Sequence, residues 1–362
     1  MMAQSCGIEF LGNPNKICYT GQKIYGKAIV ILEEPKRIKK LKLQILGLAT
    51  VSFNIGKNHY SDTVFYQDSR ADLLTPPSND EEVTMEAGRH VFEFECDIPA
   101  HCPTSFEGHS GSIRYMVKII FKRPKIHNQT YTIGFTVINS LNLNSYDINL
   151  KPPVHEEFIK HMWCGPCKTR PMIIDGRLQK TGYVPGESIP VHLSVKNETS
   201  VEIKEIIISL HLIAVSQSRK SVKSNIKDVQ KFILGQRKIA SNTKVSGEFT
   251  ETMDIPPAPP TTKTGLCELI TISYEIEIQV IIAGPHHNPL LKMPVVIGLI
   301  PLGARPLSSP NSCNLGDFDF PPPIYEESTF MEYVNLNTPN ELEYSIEETK
   351  FIPMYPKCVG RY

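Results

Sequence analysis

Apolar and polar residues alternate with a period of two along much of this chain. At 90–96, His90, Phe92, Phe94 and Cys96 fall on one side, and Val91, Glu93 and Glu95 on the other. That is the pattern of a strand with one buried face. A first region carries KIYGKAIVIL, LKLQILGLATVSF, HVFEFECDI and IRYMVKIIF; a second carries SIPVHLSV, EIIISLHLIAVS and ITISYEIEIQVII. These stretches are rich in β-branched residues and bounded by Gly, Pro, Asn or Asp, which marks them as strands. Long helical stretches are hard to find.

The two regions repeat one another. Tyr19-Thr-Gly-Gln-Lys-Ile24 returns as Tyr183-Val-Pro-Gly-Glu-Ser-Ile189, and Asp97-Ile98-Pro99 returns as Asp254-Ile255-Pro256. Each Asp-Ile-Pro leads into a Pro- and Thr-bearing loop, then a strand with an inward aromatic, Tyr115 or Tyr274. Such a repeat redirects the reading of the fold. It predicts an all-β protein of two tandem antiparallel sandwiches, because a single sheet cannot bury its own apolar face. The expected limits are 7–150, a polar, Pro-marked hinge at 151–171, a second sandwich at 172–303, and a tail at 304–362.

Composition sharpens this. The chain has 362 residues with 29 Pro against 22 Gly, which suits turns better than helix interiors. Lys+Arg and Asp+Glu are each 38, so the basic signature of a nucleic-acid binder is missing. Nine scattered cysteines fit reduced thiols better than a disulfide framework. No leader pattern and no apolar run of roughly 18 to 20 residues is present, so a cytosolic protein is expected.

The neutral total conceals an asymmetry. From Pro306 onward nine Asp+Glu face three Lys+Arg. This tail is expected to be mostly disordered when alone, with room for a short helix around 340–348. Within it lies Pro321-Pro322-Pro323-Ile324-Tyr325, containing the PPxY pattern at Pro322, Pro323 and Tyr325. Proline fixes φ, so the segment is preformed polyproline II and loses little entropy on docking in an aromatic groove; WW domains take such ligands. Ile352-Pro353-Met354-Tyr355 reads as a degraded second copy, carried by Pro353 and Tyr355 with Ile in place of the first Pro.

Candidate chemistry is thin. Trp163-Cys164-Gly165-Pro166-Cys167-Lys168 matches the thioredoxin active-site string, whose thiolate needs a helix N-terminus. Here Pro152 and Pro153 precede it and Pro171 follows, which leaves three readings: a thiol oxidoreductase, a cysteine-bearing hinge, or, with His161, an incomplete zinc cluster. Gly108-His109-Ser110-Gly111-Ser112 misses the register of a nucleophile elbow. No metalloprotease, phosphate-loop or dinucleotide motif occurs, so no catalytic residue, metal or cofactor is assigned. The basic run Lys36, Arg37, Lys39 and Lys40 is ordinarily a solvated face; its other use is contact with an anionic membrane.

With repeat, hinge and tail in view, the chain resembles the α-arrestins, the arrestin-domain-containing adaptors. Pro103-Thr-Ser-Phe-Glu-Gly-His-Ser-Gly-Ser-Ile-Arg-Tyr115-Met-Val-Lys118 is similar to that family's N-domain signature, and Lys180-Thr-Gly-Tyr-Val-Pro-Gly-Glu-Ser-Ile189 to the opening of its C-domain. The resemblance implies an arrestin fold without enzymatic activity. Its lobes would engage membrane receptors or transporters as cargo. Pro322, Pro323 and Tyr325 would recruit WW-domain HECT-type E3 ubiquitin ligases for cargo ubiquitination, endocytosis and transport. The protein would be cytoplasmic, recruited peripherally to plasma membrane and endosomes. The other reading of the fold is a sorting or signalling scaffold that uses no ligase.

Overall fold

The computed structural model describes residues 4–78, 81–124, 127–146, 148–164, 167–219, 226–240, 246–304, 323–337, 345–346 and 350–358, with backbone alone at 4, 162–164, 167–169 and 240. The first region forms β1 (Gln4–Phe10), β2 (Ile17–Tyr19), β3 (Lys23–Leu32), β4 (Lys36–Ile38), β5 (Lys40–Ile55) and β6 (Asn58–Leu74). It continues with β7 (Val83–Met85), β8 (Gly88–Asp97), β9 (Phe106–Glu107), β10 (Gly111–Lys122) and β11 (Gln129–Ile138). One sheet has the order β1-β3-β8 and the other β2-β11-β10-β5-β6, with β9 beside β10 and β4 paired to β7. Side chains from the two sheets meet between them, as where the Phe10 and Phe135 rings lie 5.5 Å apart.

The second region forms β12 (Val154–Cys164), β13 (Cys167–Leu178), β14 (Gly182–Tyr183), β15 (Ser188–Asn197), β16 (Ile203–Gln217), β17 (Lys227–Ala240), β18 (Gly247–Asp254), β19 (Ile270–Ile282) and β20 (Leu290–Ile297). Its sheets are β12-β13-β15-β18 and β14-β20-β19-β16-β17. The larger sheet has the same plan as its counterpart: a short parallel strand, β2 on β11 or β14 on β20, then antiparallel neighbours. Alternation is strict where one face is covered: Leu41, Leu43, Ile45, Ala49, Val51 and Phe53 of β5 are buried, as are Ile270 through Ile282 at every second residue of β19.

The repeat is also one of hydrogen bonds. Gly21 N donates to Ile98 O at 2.8 Å and Ile98 N to Gln22 O at 2.8 Å; Gly186 N donates to Ile255 O at 2.9 Å and Ile255 N to Glu187 O at 3.0 Å. Tyr115 and Tyr274 each bury a ring and donate the hydroxyl to a loop carbonyl, Pro103 O and Pro259 O. A buried phenol requires such a partner.

One expectation changes. The segment expected as a hinge, 151–171, is mostly strand: β12 pairs with β13 from Val154↔Leu178 to Cys164↔Cys167 and forms an edge of the second sandwich. The polar residues read as linker are the exposed face of that edge. The sandwiches are instead joined just before it, through a 3₁₀ turn at Leu143–Ser145 capped by Asn142.

Part of the tail, 323–337, 345–346 and 350–358, lies within the described residues. Its described segments form β21 (Ile324–Glu327), β22 (Val334–Asn335), β23 (Lys350–Phe351) and β24 (Met354–Lys357), paired β21 with β24 and β22 with β23. Most of the helix expected around 340–348 lies outside the described residues; Ser345 forms a β-bridge with Thr130.

Candidate functional site

The tail motif lies against the first sandwich, and the turn chemistry of the repeat places its partner. Tyr19 ends the short parallel strand β2, and its hydroxyl shares a hydrogen bond of 2.8 Å with the hydroxyl of Tyr325. The Tyr325 ring is half-buried beside Ile17, Ile138, Leu299 and Ile300, with Met354 completing the cluster. Burial pushes both phenols above their ordinary pKa. Pro323 and Ile324 are on the surface, Ile324 exposed; Pro322 lies outside the described residues.

The backbone of the motif is also engaged. β21 pairs antiparallel with β24 in the register Ile324↔Lys357, Tyr325↔Pro356, Glu326↔Tyr355 and Glu327↔Met354. Lys357 Nζ lies 3.4 Å from Glu326 Oε1 across the pair.

Tyr355, read from the sequence as the anchor of a second motif, has no exposed surface. Its hydroxyl donates to Ser105 O at 2.7 Å and lies 3.7 Å from Met331 Sδ. Ile352 is buried in the same core, while Met354 N donates to Thr136 Oγ1 at 3.1 Å. One residue beyond β24, Cys358 N donates to Pro185 O at 2.8 Å, in the second sandwich. In this arrangement Pro353 and Tyr355 cannot be reached by a partner without leaving the body.

Upstream of β24, Phe351 and Leu336 pack over Met116 on the outer face of the first sandwich. They lie on Gly134 of β11, where any Cβ would run into both side chains. A cavity of about 260 Å³ remains beside them, lined by Lys16, Gly134, Thr136, Tyr333, Phe351 and Met354. Phe330 reaches the domain boundary and meets Phe232 at 5.8 Å, which in turn meets Phe106 edge-on at 6.3 Å.

That boundary carries a latch that sequence reasoning passed over. Arg219, after β16, donates its backbone N and Nε to Asp62 Oδ2 at 3.0 and 3.1 Å and its Nη2 to Asp62 Oδ1 at 3.1 Å. The guanidinium holds the buried Asp62 carboxyl down at about 2. Nearby, His109 and Ser110 of the former elbow candidate are loop residues bonded to Gln230. No sequence signal tied these residues together, because they lie more than a hundred positions apart.

The remaining candidates are dispersed. Lys36 is not part of a cationic surface: it is buried, donates to Gln129 Oε1 and sits 4.8 Å from the centre of the Phe121 ring, and burial pushes its ammonium down to about 8. The short strand β4 alternates, turning Lys36 and Ile38 inward and Arg37 outward. Lys40 pairs with Asp72 at 2.9 Å, which leaves Arg37 and Lys39 as the exposed members of the run.

Cys164 and Cys167 face each other across the end of the β12–β13 hairpin, so the thioredoxin string lacks the helix N-terminus its chemistry needs. Their side chains lie outside the described residues. Among the described residues no group of three His, Cys, Asp or Glu side chains is arranged to hold a metal ion. Cys6, Cys18, Cys96, Cys102, Cys267 and Cys358 are buried, and burial pushes the thiols of Cys18 and Cys102 up to about 12 and about 11.

Residues 6–144 match the model for the arrestin (or S-antigen) N-terminal domain, and residues 168–302 match that for the arrestin C-terminal domain. The chain belongs to the α-arrestin family. It is 26% identical to human arrestin domain-containing protein 4 over 99% of its own length and 86% of that protein's. It is 27% identical to arrestin domain-containing protein 17 of Caenorhabditis elegans, covering 83% of this α-arrestin and 72% of its relative. Human thioredoxin-interacting protein is 26% identical over 79% and 72% of the two chains. The two arrestin domains and these relatives support an arrestin-fold adaptor or sorting role. Among the described residues no helix is long and apolar enough to cross a membrane.

Proposed function

We propose that this α-arrestin is an adaptor that couples membrane receptors or transporters to a WW-domain HECT-type ubiquitin ligase. In this reading Pro322, Pro323 and Tyr325 recruit the ligase, the two sandwiches engage the cargo, and ubiquitination directs that cargo into endocytosis and transport. The observation that carries the reading is the position of the described part of the motif: Ile324 is exposed, and Tyr325 is half-buried with its hydroxyl bonded to that of Tyr19.

The test is capture of a WW-bearing ligase from solution by the full chain and by its Tyr325→Ala form. Loss of capture in the variant is the expected result. Equal capture by both forms would remove the PPxY reading and leave a scaffold that works without a ligase.

A further inference from the structure

The pattern Ile352-Pro353-Met354-Tyr355 has a use that its resemblance to a second ligase motif conceals. We propose that β24 is an internal lock on the PPIY motif, closing it to WW domains until the C-terminal strand is released. This inference rests on the reading of Pro322, Pro323 and Tyr325 as the ligase site.

Three observations carry it. The Tyr325 ring is packed beside Ile17, Ile138, Leu299 and Ile300, and its hydroxyl is joined to that of Tyr19. A WW groove needs the same ring and the polyproline conformation of the residues before it, so body and ligase compete for one side chain. The backbone of 324–327 is paired to 354–357, so the last two residues of the motif, Ile324 and Tyr325, belong to a two-stranded hairpin.

The firm anchor of that hairpin is on the β24 side. Tyr355 is wholly buried and bonded to Ser105 O, Met354 N is bonded to Thr136 Oγ1, and Cys358 N to Pro185 O. By contrast, β21 meets the body through the side-chain hydrogen bond of Tyr325 to Tyr19. The Ile that spoils the second copy as a WW ligand is buried with the core. The residues that look like a failed motif are the ones a plug requires.

A site open only a fraction of the time binds weaker by that fraction. If the strand is released in roughly one molecule in ten or fewer, WW affinity falls about tenfold or more.

The experiment titrates an isolated PPxY-binding WW domain into four samples: the full chain, its Tyr355→Ala and Lys357→Glu forms, and a free peptide spanning 317–332. The lock predicts that the peptide binds, that the full chain binds at least about tenfold more weakly, and that Tyr355→Ala returns to within about threefold of the peptide. Lys357→Glu, which opposes Glu326 from the surface and leaves the core untouched, falls between. Equal affinity of peptide and full chain overturns the lock, as does a folded Tyr355→Ala protein still as weak as the parent. A peptide that does not bind overturns the ligase reading itself.

Should Tyr355→Ala not fold, hydrogen exchange on the unmodified chain decides. Slow amides within 324–327 uphold the lock, and exchange at the free-peptide rate rules it out.

Discussion

Tyr115 and Tyr274 show how much one buried hydroxyl carries. Each ring fills the centre of a sandwich while its oxygen ties down the loop after an Asp-Ile-Pro turn. Replacing Tyr115 by Phe keeps the ring and orphans the Pro103 carbonyl. Leaving a buried acceptor unmade costs about 1–3 kcal/mol, so the urea midpoint of Tyr115→Phe is expected to fall with its slope unchanged. These residues are legible in the sequence because each belongs to a local turn followed by an alternating strand. Tyr19 is legible only in part: its place in the repeat is readable, but its bond to Tyr325 joins residues 306 positions apart.

Strands with one covered face are the elements the sequence displays best, and β5, β8 and β19 alternate in the structure as in the pattern. The segment 151–171 misleads because an edge strand keeps polar residues on its open side, and polarity with proline also describes a linker. The packing of the tail's described part is hard to read for another reason. Its acidic average hides Phe330, Leu336, Phe351, Ile352 and Tyr355, whose irregular spacing matches no period, yet each finds a recess on the body. Gly134 is the element-scale test of that docking, since its missing side chain is what lets Phe351 and Leu336 approach β11. In Gly134→Leu the β22–β23 ribbon is expected to lift. Protease cleavage within 334–351 should accelerate at least about tenfold, while the sandwiches stay folded by far-UV circular dichroism; an unchanged cleavage rate would show that the ribbon does not depend on this gap.

At the scale of the whole molecule, the sandwiches are joined by the Asp62–Arg219 latch and by a tail that touches both. The latch gives a pH signature. The Asp62 carboxyl titrates at about 2 in the folded protein and near 4 when unfolded, so ionisation favours the folded state. That contribution is complete above about pH 4 and is lost as pH falls through about 2. Asp62→Asn should therefore lower stability near neutrality, and the gap to the parent should narrow across that acid window in urea titrations. A gap independent of pH would mean that the latch does not act through charge.

The site of Tyr355 has a further consequence for how the molecule is made. Chains fold from the N-terminus as they are synthesised, and the recess beside Ser105 and Thr136 belongs to the domain that emerges first. Its occupant follows both sandwiches along the chain. Every newly made copy thus passes through a period in which both sandwiches can be assembled while the cleft stands vacant, and any chaperone or ligase working on nascent chains meets a surface that the finished protein covers.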